Sequence, residues 1–337
     1  MNWQDLLKGD SLAWLLEEEN PGVHYLALRD LTGTPHDSPE YLDAQKAAHS
    51  AGPIAQILAQ MNPAGYWEQP GPGYNPKYRS SVWSVILLAQ LGAGASRDER
   101  VHTACAYLLE HALAQGGQIS ASGAPSGTAD CLQGNLCWAL AALGFRDPRL
   151  GQAFEWLARS TTGEGVASQE DRQAPLRYYA GKCGPNFACG SNNKLACAWG
   201  AVKVVLALSQ CPGEYRTRLW DEALQRGVDF LFSVDPLTAA YPSGFTGKPS
   251  QSWFKFGFPV FYVTDVLQVL EALASCGYGK DARLANALEW VRSKQDESGR
   301  WLLEYDYAGK IWVDFGVKKQ ANKWVTLRVL RVLKACV

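Results

Sequence analysis

The stretch KCGPNFACGSNNKLACAWGAVKVVLAL, residues 182–208, places Cys183, Cys189 and Cys197 within fifteen positions and then runs into an apolar helix. Thiols so spaced do one of three things. They pack as small apolar residues, exchange electrons as a pair, or hold a metal as thiolates. Cys131, at the head of CLQGNLCWALAALGF, is a fourth candidate, and Asp130 precedes it directly. The remaining cysteines, Cys105, Cys137, Cys211, Cys276 and Cys336, sit inside helical patterns and read as packing. The chain has 337 residues and nine cysteines, with a formal net charge of −1. That charge, with Lys and Arg scattered, excludes the basic face that nucleic acid requires. No apolar run reaches the ~18–20 residues of a membrane span. The opening MNWQDLLKGDSLAWLLEEEN is acidic where a signal peptide is basic and then apolar. A cytoplasmic location is therefore expected, where cysteines act as thiols or ligands rather than as a disulfide framework.

The elements that would position these groups are helical. SSVWSVILLAQLG, CLQGNLCWALAALGF, CAWGAVKVVLALSQ, FYVTDVLQVLEALASCGY and ANKWVTLRVLRVLKACV are apolar on most faces, as helices buried on several sides must be. Between them lie amphipathic segments such as RDERVHTACAYLLEHAL, DPRLGQAFEWLARS and KDARLANALEWVRSKQ. Gly-rich, aromatic connectors join each amphipathic helix to the next buried one: AGYWEQPGPGY, QGGQISASGAPSG, YPSGFTGKPSQSWFKFGF and ESGRWLLEYDYAG. The units recur roughly every 50 to 65 residues, the mark of a repeat architecture. The expectation is one all-α domain over 1–337, with N-terminal helices in 1–63 and repeat units in 64–337. Its buried helices would form an inner ring and its amphipathic ones an outer ring. The longest irregular region, about 161–194, carries two of the cysteines, and long loops in compact domains are usually functional or disordered.

Gly-x-Trp or Gly-Gly turns followed by a small-residue helix ending in the ALxxLG manner resemble the repeats of the terpenoid cyclase and protein prenyltransferase α/α toroid. The matching units are GYWEQ…SSVWSVILLAQLG, GGQIS…CLQGNLCWALAALG, GFTGK…YVTDVLQVLEALASCG and GRWLLE…NKWVTLRVLRVL, within residues 64–337. The resemblance implies a barrel of helical hairpins acting on an isoprenoid or other apolar molecule. It also allows a non-catalytic toroid that binds a lipid or a peptide around a structural metal. Prenyltransferases of this fold hold zinc with Asp, Cys and His, and Asp130–Cys131 is similar in type. All five histidines fall at or before His111, however, so the late ligand is missing. The Asp-x-Asp-Asp acid motif of class II cyclases and the Cys-His pair of lanthionine cyclases are absent too.

In such a ring the inner helices begin at one rim. Cys131 and Cys197 would then face each other across helices about 8–10 Å apart, with Cys183 and Cys189 descending on a loop. Four thiolates suit tetrahedral zinc, or an iron–sulfur cluster with the same ligand set; the alternative is no cofactor. Asp130 and Asp265 are the candidate buried acids, since an apolar site raises a carboxyl pKa; Asp265 equally suits a helix N-terminus. The chain has 13 Trp and 14 Tyr. Tyr74, Tyr78, Trp83, Trp199, Trp253, Phe258, Tyr262 and Trp324 are expected to line an apolar central cavity, their faces fit for a cation. Lys77 and Arg79 would meet an anionic head such as diphosphate.

Overall fold

A computed structural model describes residues 2–166 and 182–337. Its helices are α1 (Ser11–Leu15), α2 (Pro21–Ala27), α3 (Pro39–Ser50), α4 (Pro53–Ala59), α5 (Ser81–Gln90), α6 (Glu99–Ala112) and α7 (Asp130–Ala142). They continue as α8 (Pro148–Thr162), α9 (Ala198–Ser209), α10 (Trp220–Leu231), α11 (Val266–Leu273), α12 (Ala285–Ser293) and α13 (Lys323–Cys336). Among the described residues β structure is limited to isolated bridges such as Leu302–Ala321. The chain is an all-α toroid.

The two helix classes follow from their sequences. Every residue of α5 from Ser81 to Ala89 is buried, as a helix apolar on all sides must be. In α6 the buried side is Val101, Ala104, Cys105, Leu108 and Leu109, leaving the charged residues outward. Successive inner helices pack side by side, α5 on α7, α7 on α9, α9 on α11 and α11 on α13. α13 packs on α2, and Gly92 at the end of α5 comes up against Leu26 and Tyr25 of α2. Those last two contacts close the ring. α6, α8, α10 and α12 pack behind as the outer layer.

One device repeats at the turn from outer to inner helix. Gly65, Gly117 and Gly299 have φ of 97°, 88° and 73°, in the region that favours glycine. A Cβ on Gly65 would lie 2.8 Å from Thr103 O in α6, and one on Gly117 2.5 Å from Gln152 O in α8. Glycine thus lets the first two turns press on the next outer helix and the third on the backbone of Gly9. Two residues after Gly65 and Gly299, the indoles of Trp67 and Trp301 donate to Ile57 O and Val291 O, each at 2.8 Å. The backbone N–H groups of Trp67 and Trp301 donate to Ser81 Oγ and Thr326 Oγ1 at 3.1 and 3.0 Å. The Gly-Gly turn reaches the same end with Gln133, which accepts from Ile119 N–H at 2.9 Å and donates to Ala153 O at 2.9 Å. The two Gly-x-Trp turns are therefore tied both to the helix before and to the helix after, while Gln133 ties the Gly-Gly turn to α7 and α8.

The centre of the ring is filled by the chain itself. Arg328 Nη1 of α13 donates to Gly257 O at 2.7 Å. Gln90 at the end of α5 exchanges two 2.8 Å bonds with the backbone of Val260, and Asn135 Nδ2 of α7 donates to Phe261 O at 3.2 Å. Side chains from three sides of the ring thus hold residues 257–261 inside it. Phe258 stacks on Trp324 with ring centres 4.8 Å apart, and Phe261 meets Trp83 edge-on at 5.3 Å. Burying each such ring contributes about 1.5–3 kcal/mol, so this plug is a true core.

Candidate ligand cavity at the inner-helix rim

A cavity of about 1210 Å³ opens at the rim where the inner helices begin. Its floor is the first turns of α7 and α9, through Cys131, Leu132, Ala198 and Trp199, together with Tyr262 from the upper end of the plug. Its walls come from the connectors: Tyr74 and Lys77, residues 126–129, residues 189–192, and residues 239–253 with Tyr241, Phe245, Lys248 and Trp253. α7 and α9 approach closely because two glycines allow it. A Cβ on Gly134 would be 2.5 Å from the Lys203 carbonyl carbon, and one on Gly200 2.9 Å from Asp130 Cβ.

The expected aromatic residues divide between this cavity and the core. Tyr74, Trp199, Trp253 and Tyr262 line it. Tyr78 and Trp83 pack behind it, Tyr78 on Phe261 and Tyr307 and Trp83 on Tyr74 and Tyr262. Phe258, part of the plug, packs on Trp324 in the first turn of α13 and on Phe315, outside the cavity lining. Arg79 stacks over Trp312 at 4.8 Å and is not part of the lining. The wide central chamber anticipated from the helices alone is thus replaced by a plug with a cavity above it. Its charge was only partly legible. Lys182 and Lys248 join Lys77 in the lining, and no Asp or Glu lines it among the described residues.

Cys131, Cys189 and Cys197 are on the cavity wall, whereas Cys183 is buried. Cys197 is the N-cap residue of α9. Residues 187–197 form a small hairpin closed by Cys197 N–H to Phe187 O at 2.9 Å and Cys189 N–H to Leu195 O at 3.1 Å. The Cys197 thiol, bonded to the Cys189 sulfur, holds Cys189 below the usual thiol range; the backbone N–H groups of Ser191 and Asn192 assist. Burial pushes Cys131 up to about 12 and raises Cys183 as well. Among the described residues no group of three or more His, Cys, Asp or Glu is placed to hold a metal ion. The shared four-thiolate ion, zinc or iron–sulfur, therefore has no support in this geometry. Residues 167–181 of the irregular region lie outside the described residues; residues 187–197 are held by backbone bonds, by Asn192 Nδ2 donating to Ala196 O and Pro242 O, and by buried Phe187.

The two acids differ. Burial, then the neighbouring Cys189 sulfur, raises the Asp130 carboxyl well above the usual carboxylate range. Asp130 opens α7 beside Cys131 but does not itself line the cavity. Asp265 is the N-cap of α11, accepting from Gln268 N–H at 2.7 Å. Its two oxygens also take Arg328 Nη1 and Nη2 at 2.9 and 3.1 Å. Its carboxylate is committed to structure. A free acid was the sequence alternative, and the cap is what the fold builds.

No protein-family model and no curated protein matches the chain. Among solved structures it is similar to a protein from Actinoplanes at 14% identity and TM-score 0.31, over 87% of this chain and 99% of that one. It is similar also to a type II terpene cyclase from Scytonema without ligand, at 15% identity and TM-score 0.31, over 87% and 96% of the two chains. A variant of that cyclase holding geranylgeranyl dihydroxybenzoate as substrate gives 15% identity and TM-score 0.32, over 88% and 97%.

Proposed function

We propose that the rim cavity binds an elongated apolar molecule with an anionic head, of the isoprenoid kind. One observation carries the reading: a large cavity with aromatic walls has Lys77, Lys182 and Lys248 in its lining and no described carboxylate beside them. Apolar walls supply the affinity for a hydrocarbon chain, and a few placed charges orient it. The volume of about 1210 Å³ suits a ligand larger than the ~300–1,000 Å³ usual for small-molecule sites. The helix starts point the same way. α7 and α9 begin without a side-chain cap, unlike α6, α8, α11 and α13. Their positive dipole ends at the floor therefore favour an anion there.

Isothermal titration with geranylgeranyl diphosphate, geranylgeraniol and inorganic diphosphate tests this. The ester should bind at least about tenfold, or ~1.4 kcal/mol, more tightly than either part. Equal binding of ester and alcohol would remove the lysines from the account, and no binding of any of them would remove the cavity.

The raised carboxyl of Asp130, at the head of α7 beside the cavity residue Cys131, favours a second reading, in which the bound alkene is protonated at carbon, cyclises as a carbocation and then loses a proton. Its test is product analysis after incubation with the ester. Asp130→Asn should abolish cyclised product while leaving binding intact. Absence of product from the native chain leaves binding as the function.

A further inference from the structure

A second cavity, of about 480 Å³, lies below the plug where the inner helices end. Gln90, Ala142, Leu206, Ser275 and Ala335 mark the ends of α5, α7, α9, α11 and α13 around it. Trp138, Phe258 and Val260 make part of its wall apolar. Its charges are arranged with one exception in pairs. Arg29 and Arg331 share Asp30, at 2.7 Å from each Nε. Arg328 holds Asp265 and Glu271. Those three cations face three carboxylates. Lys203 is the exception. Its side chain is completely buried, and its amine donates only to Thr264 Oγ1 and Gln268 Oε1, two neutral acceptors. A buried charge is stable only when paired, so burial among neutral acceptors favours the neutral amine.

We propose that this second cavity is a binding site for a carboxylate-bearing amphiphile whose head pairs with Lys203 of the cavity wall, the amine turning from Thr264 and Gln268 to meet it. One unpaired amine suits a singly charged head, because a phosphate would bring further charge with no spare cation to meet it. The apolar wall suits a short hydrocarbon tail, and the volume falls within the ~300–1,000 Å³ of small-molecule sites. Arg331 and Glu271, each partly exposed, mark the open side.

Binding must move a proton. Burial lowers the Lys203 amine to about 7; Asp265, Cys131 and Glu271 oppose that shift and Arg328 adds to it. These are the charged and titratable groups that face it, from α7, α11 and α13, with Asp265 capping α11. A carboxylate against the amine favours its charged form, so at pH 8 the complex takes up a proton that the free protein lacks.

The test is titration calorimetry with sodium octanoate at pH 8 in phosphate and in Tris, whose ionisation heats differ. Proton uptake should approach one per octanoate at pH 8 and fall to a small fraction at pH 6. The native chain should bind octanoate at least about tenfold more tightly than octanol, which should bind without uptake. Lys203→Met should abolish both the uptake and the preference. Octanoate binding without proton uptake by the native protein would overturn the proposal, and that reading needs no variant to fold. Uptake retained in Lys203→Met, or no octanoate binding, would overturn it equally.

Discussion

Arg328→Met breaks the strongest polar joint between α13, α11 and the plug. The guanidinium donates to Glu271 Oε1 and Oε2 at 2.8 and 2.9 Å, to Asp265 at 2.9 and 3.1 Å, and to Gly257 O at 2.7 Å. Methionine fills much of the volume but leaves two carboxylates facing one another. Removing one partner of a buried pair costs about 3–5 kcal/mol, a large share of the ~5–15 kcal/mol that holds a protein folded. Urea unfolding followed by tryptophan fluorescence should show the midpoint fall by about 1–2 M for an m-value near 3 kcal/mol/M. Adding Asp265→Asn and Glu271→Gln should restore about half of the loss, because the uncompensated charges are gone. A deficit below about 1 kcal/mol, or a triple variant as unstable as the single one, would refute the view that Arg328 neutralises a buried acidic pair, whose cost is set by desolvation.

Trp301→Ala should cost about 3–5 kcal/mol, the usual penalty for emptying a fully buried aromatic site, read as a fall in melting temperature; a neutral result would contradict the tie between α12 and α13. Native stability minus that of Lys203→Met should rise with pH by about 1.4 kcal/mol per unit between about 7 and the ordinary lysine value near ~10.4. In that window the unfolded lysine is protonated and the buried one is not. A pH-independent difference would show Lys203 charged in the fold. Elemental analysis should find no stoichiometric zinc or iron, and chelation should leave the melting temperature unchanged. Stoichiometric zinc lost on Cys189→Ser would reinstate the four-thiolate site.

The ring was legible because burial leaves a strong mark on sequence. A segment such as SVWSVILLAQ can be stable only with protein on every side, and Gly-x-Trp recurs because close approach excludes a Cβ. The plug was not legible. FGFPVFY reads like any apolar connector, and only the side chains of Gln90, Asn135 and Arg328, far apart in sequence, show that it enters the ring. The cysteines illustrate the reverse. Their spacing suggested a shared ion, but the 187–197 hairpin satisfies its own backbone and needs none. Lys203 did leave a signal, a single charge inside the otherwise apolar GAVKVVLAL. A lone cation in a helix buried on all faces must lose its proton or find a partner.

Photo-crosslinking locates the ligand most directly. A geranylgeranyl diphosphate analogue with a photoreactive group on its terminal isoprene unit, irradiated with the native chain and mapped by peptide mass spectrometry, should label Trp199 or residues 241–253 around the rim cavity. Excess unmodified ester should suppress the label. Saturable labelling of Phe315 or Trp324, which pack on Phe258 of the plug, would place the ligand in the centre of the ring and contradict the account.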